Sequence, residues 1–132
     1  MENKFLLLAF VSVIVVAGVN FVANFFYLYW TVWWFDNVTH FLGGLSMGLL
    51  WFWIFNKFFS FTEAPKLKSI IFIVLILVLA VGIGWEIFEY IFDIANLGGG
   101  ETYWQDTSRD LAADTLGAIA ASLIIFKKKL HD

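Results

Sequence analysis

The sequence has no cysteine, which excludes disulfides and thiolate metal sites. It has one proline, Pro65, and no internal repeat or low-complexity tail. Charge is scarce: Asp, Glu, Lys and Arg make up 14% of the 132 residues, against about a quarter in an ordinary soluble domain. Lysine and arginine together number 8, too few and too scattered for a nucleic-acid surface. No HExxH, serine–histidine–acid spacing or nucleotide-binding loop is present. A soluble helical bundle would need polar outer faces, and this chain has little to build them from.

What it has instead is apolar length. Hydrophobic residues make up 61% of the chain. A membrane span needs about 20 mostly apolar residues, and four candidates occur, at about 5–29, 38–59, 69–91 and 108–126. The runs do not alternate as barrel strands would. The expected fold is therefore all-α: a single transmembrane domain over 1–132, built as a four-helix up-and-down bundle. The first run is too long for a signal peptide and lacks a small-x-small cleavage site, so it reads as a mature helix. Pro65 breaks the chain between the second and third runs, and Gly98-Gly99-Gly100 turns it between the third and fourth.

The cations set a direction. Lys4, Lys57, Lys66, Lys68, Lys127, Lys128 and Lys129 fall at the end shared by both termini and the middle connection, while the opposite end carries only Arg109. That bias predicts cytoplasmic termini. Tyr27, Tyr29, Trp30, Trp33 and Trp34 then form an aromatic belt at the outer surface, joined by Tyr103 and Trp104.

Acids appear where hydrocarbon is expected. Asp36 and His40 begin the second span, Glu86, Glu89 and Asp93 end the third, and Asp106, Asp110 and Asp114 begin the fourth. Each set is spaced three or four apart, one stripe on its own helix. Threading the spans up and down brings the three stripes to one depth in the outer half. A charge facing lipid costs about 2.5–3.5 kcal/mol at a helix centre, so the stripes should face one another. Gly43, Gly44, Gly82 and Gly117, with Ala118 and Ala121, supply small residues for close helix approach. Asp93 reads as solvated at the interface, Asp106 and Thr107 as a cap of the fourth helix, and Asn37 and Thr39 as a cap of the second. Asn20 and Asn24 read as hydrogen-bonding partners between helices, or as lining of the polar pocket. His131 falls at the other end.

Asp36, Glu86, Glu89, Asp110 and Asp114 cannot all be charged and buried without partners. Three resolutions are open: protonated acids, an ion-pair network with Arg109 and protonated His40, or a divalent cation. Carboxylates with one imidazole suit Mn²⁺, Fe²⁺, Zn²⁺, Mg²⁺ or Ca²⁺. The expected metal ligands are Asp36, His40, Glu89, Asp110 and Asp114, with Glu86 as a general base and Arg109 as a fork for an anionic group.

The strings DNVTHFLGG (Asp36–Gly44), WEIFEY (Trp85–Tyr90) and DTSRDLAADTLGA (Asp106–Ala118) resemble small bacterial membrane proteins of the YjdF type, with further similarity to VanZ-like motifs. Asp114 stands where VanZ-like proteins usually have Asn. The resemblance runs over roughly residues 36–120. It implies a compact helical protein of the bacterial inner membrane with these same polar positions as the functional ones. It brings no settled activity.

The expected function is binding of a divalent metal ion in an extracytoplasmic acidic–histidine pocket, with metal-assisted hydrolysis of a lipid or amphiphile as its enzymatic form. The alternatives are ion- or proton-coupled transport, for which four helices call for a homodimer, and a structural accessory role. The bilayer itself is the one partner every version shares.

Overall fold

A computed structural model of the chain describes residues 2–59, 67–95, 97 and 100–131. Among these residues there are five helices: α1 (Glu2–Phe25), α2 (Leu28–Thr31), α3 (Phe35–Phe59), α4 (Leu67–Phe92) and α5 (Tyr103–His131). The break expected at Pro65 and the turn at Gly98 and Gly99 lie outside the described residues, as does the side chain of His131.

The helices differ from the sequence-based bounds at their outer ends. The first run does not continue to residue 29. Tyr27 takes a left-handed conformation (φ 57°) and separates α1 from the single turn of α2. Helix α3 begins three residues early, so Asp36 sits in its first turn. There Thr39 Oγ1 donates to the Asp36 carbonyl (2.7 Å) and to Asp36 Oδ1 (3.1 Å). Helix α5 begins at Tyr103 rather than Ser108. Its start is a reciprocal cap: Thr102 N–H donates to Gln105 Oε1 (3.0 Å) and Gln105 N–H to Thr102 Oγ1 (3.4 Å). The cap therefore precedes Asp106 and Thr107, which are helical.

Three helices are long and apolar enough to cross a bilayer, over Lys4–Phe25, Phe35–Phe58 and Leu67–Phe92. With 29 residues, α5 has the length, but Asp106, Arg109, Asp110 and Asp114 interrupt its first half. Large apolar side chains point outward, among them Leu7, Phe10, Phe21, Phe72 and Tyr90. This outward greasiness is costly in water and neutral in lipid.

The interior divides into two halves along the helix axes. The lysine-bearing half is an apolar core in which Phe5, Leu49, Phe52, Ile70, Val74 and Ile125 cluster. Phe5 and Phe52 meet edge-to-face at 5.2 Å. The other half buries Glu86, Glu89, Asp106, Asp110 and Asp114. Helices α3 and α5 form the central pair, α1 packs on α3, and α4 packs on α5 and α3.

Glycines set the α3–α5 approach. A Cβ at Gly44 would lie 2.9 Å from the Asp114 Cα and closer still to the Asp114 carbonyl oxygen. One at Gly117 would lie 2.7 Å from Leu45 N and closer still to the Phe41 carbonyl. One at Gly48 would lie 2.7 Å from Ala121 Cβ. These contacts leave no room for any side chain, so this spacing of small residues determines how near α5 comes to His40.

Candidate metal centre

His40 lies between α3 and α5, with a carboxylate on three sides. Its Nδ1 is 3.4 Å from Asp114 Oδ1, and its Nε2 is 3.7 Å from Asp110 Oδ2 and 4.0 Å from Asp36 Oδ1. Helical periodicity accounts for this. Asp36 and His40 are one turn apart on α3, as are Asp110 and Asp114 on α5, and Gly44 and Gly117 let the two stripes close. Gly82 of α4 makes the remaining space: a Cβ there would stand 2.5 Å from Asp114 Oδ2.

One ligand atom from each of Asp36, His40 and Asp110 fits within a sphere of mutual separation 4.8 Å. Ligands about 2.1 Å from a common ion are about 3–4.2 Å apart, and the Nε2 distances lie in that range, as they do in the range of ion pairs to a protonated His40. They are too long for direct hydrogen bonds. Asp110 is fully buried, and neither of its carboxylate oxygens has a hydrogen-bond partner. A buried carboxylate without donors is costly, and a divalent ion held there would supply the missing partner. Asp114 facing Nδ1 leaves the Nε2 lone pair toward Asp36 and Asp110, the usual way a carboxylate orients a metal-binding imidazole. The residues present therefore fit a divalent ion.

The other sequence-derived positions separate into two places. Glu89 lines a cavity of about 650 Å³ shared with Asp36, His40 and Asp114. Glu86 does not line that cavity. It turns toward α5, where Thr107 Oγ1 donates to its Oε2 (2.6 Å) and Tyr103 donates to its carbonyl. Its Oε1 is buried without a partner. Arg109 is also outside the cavity: Nη1 pairs with Glu101 at 2.6 Å, Nη2 with Asp106 at 3.3 Å, and the guanidinium lies over the Trp33 ring at 5.5 Å.

Asp106, read from sequence as a cap, is 1% exposed and an ion-pair partner. Asp93 is exposed, at a left-handed position (φ 52°) after α4. The pair Asn20 and Tyr29 adds a contact across the outer rim, with the Tyr29 hydroxyl donating to Asn20 Oδ1 at 2.7 Å. Glu101, Thr107, Tyr103 and Tyr29 are polar contributors that spacing alone did not single out.

The description "Predicted membrane protein (DUF2238)" matches residues 2–130 of the chain. The chain belongs to this family. Family membership agrees with the YjdF-type resemblance, since the YjdF proteins are members, and it agrees with the outward apolar faces. The match gives no support to the VanZ-like similarity. No curated protein and no solved structure is significantly similar to the chain.

Proposed function

We propose that this is a divalent-cation-binding membrane protein, with Asp36, His40 and Asp110 as ligands and Asp114 holding the imidazole. The observation that carries the reading is the fully buried Asp110 carboxylate, without a hydrogen bond and facing the His40 Nε2 at 3.7 Å. Glu89 lines the neighbouring cavity from α4 and stands outside this ligand cluster. The donor set, oxygen with one imidazole, favours Mn²⁺, Fe²⁺ or Zn²⁺ over Mg²⁺ and Ca²⁺.

In this reading α5 is the fourth span. Its acids face α3 and α4 rather than lipid, which removes the penalty that its composition implies. The lysine-bearing end faces the cytoplasm of a bacterial cell, with both termini there, and the acidic half faces outward. A hydrolytic extension has the ion polarise a lipid or amphiphile, or activate water. Its base would be Glu89 rather than Glu86, which Thr107 holds outside the cavity, and Arg109, paired with Glu101 and Asp106, would not grip the anionic group.

The test is thermal unfolding of the purified protein with and without chelator. An ion at a hundred times its Kd adds about 2.7 kcal/mol to the folded state. Wild type should gain stability from one of the offered ions, and His40→Gln should not. An equal response in the two proteins would refute the assignment.

A further inference from the structure

The cavity beside the candidate ion is a cleft between α1 and α4, backed by α3. Its walls are apolar, with Val13 and Val16 from α1 and Val78 and Val81 from α4. Trp30 and Trp85 also line it. Its volume, about 650 Å³, is in the range of small-molecule sites. The back wall is bare at Gly43, where a Cβ would meet nothing within 4 Å. Its neighbour Gly44 is glycine because α5 presses on it, whereas Gly43 is not needed for helix packing. Open space beside His40, between two helices that lie across hydrocarbon, is reached most directly by a lipid tail.

The polar groups facing this space choose the head. They are Asp36, Glu89 and Asp114, with His40 and the uncharged Asn20, Asn24 and Thr39. Among the described residues, no lysine or arginine lines the cleft. Arg109, the cation of the polar half, is engaged by Glu101 and Asp106. An anionic head would meet three carboxylates there, and a cationic head would meet complementary charge. We propose that the α1–α4 cleft binds one membrane amphiphile, its ammonium head among Asp36, Glu89 and Asp114 and its tail between α1 and α4. The cleft shares Asp36 and His40 with the candidate ion site but does not require the ion.

Native mass spectrometry of the detergent-purified protein tests this, with phosphatidylethanolamine and phosphatidylglycerol of identical tails offered in turn. Wild type should retain one phosphatidylethanolamine per chain, at least tenfold in preference to phosphatidylglycerol. Gly43→Leu and Ala17→Leu fill the cleft from its back and from α1. Both should lose the retained lipid while eluting as folded protein with the wild-type ion content. Glu89→Gln should reduce the headgroup preference. Equal retention of the two lipids, or undiminished retention in both cleft-filling variants, would overturn the proposal. An ion-free wild type that still retains phosphatidylethanolamine would support it while removing the ion reading alone.

Discussion

Asp110 is the residue on which the electrostatics turn. Its carboxylate is buried and lacks a hydrogen-bond donor, so in the proposed reading its charge destabilises the fold when no ion is bound. Asp110→Asn removes that charge at nearly constant shape. In chelator the variant should therefore melt at or above wild type, and with saturating ion it should melt below, a crossover readable by differential scanning fluorimetry. If the acid served only helix pairing, no crossover would occur. Thr107 gives the contrasting case, a partner that is present. Its hydroxyl donates to Glu86 Oε2 at 2.6 Å, and hydrogen bonds to charged groups contribute about 1.5–3 kcal/mol. Thr107→Val should lower stability by about that amount, measured by denaturant unfolding, and leave ion content unchanged, because Glu86 lies outside the cavity.

At the scale of elements, the α3–α5 contact places the site. A methyl group at Gly117 would run into the Phe41 carbonyl and Leu45 N. Overpacking of this kind costs about 1–3 kcal/mol, and here the neighbour is backbone, which cannot swing aside. Gly117→Ala should lower the melting temperature and weaken ion binding together, since it moves α5 from α3. Gly43→Ala, with open space around its Cβ, should do neither. The spacings of four in Asp36–His40 and Asp110–Asp114 were legible because helix periodicity is local. So were the small residues, though not their division into packing glycines (Gly44, Gly117) and an open one (Gly43), which depends on which face α5 covers. The start of α5 was misread by five residues, although its signal, Thr102-x-x-Gln105, stands in the sequence. That shift turned Asp106 from a presumed cap into a buried partner of Arg109. The pairing of Arg109 with Glu101 had no local signal, because Glu101 precedes the helix. The break at Tyr27 had none either, since tyrosine is an unusual residue for a left-handed turn.

Over the whole molecule, one end is a tight apolar core and the other a polar, cavity-bearing half. The lysines at the core end argue for an orientation that reagent access can check. The chain has no cysteine, so single introduced cysteines report cleanly. Trp104→Cys, at a site 76% exposed before α5 enters the bundle, should react with an impermeant maleimide added to intact cells. Lys57→Cys should react only after lysis. Both labelling from the same side would refute the four-span arrangement, because α4 would then not return the chain across the bilayer.

We propose a divalent ion held by Asp36, His40 and Asp110. Elemental analysis of the detergent-purified protein, after Mn²⁺, Fe²⁺, Zn²⁺, Mg²⁺ and Ca²⁺ are each offered and excess removed, would count that ion. Wild type should carry about one ion per chain, and His40→Gln and Asp110→Asn should carry none while still eluting as folded protein. An ion-free wild type, or an ion retained in both folded variants, would contradict the account.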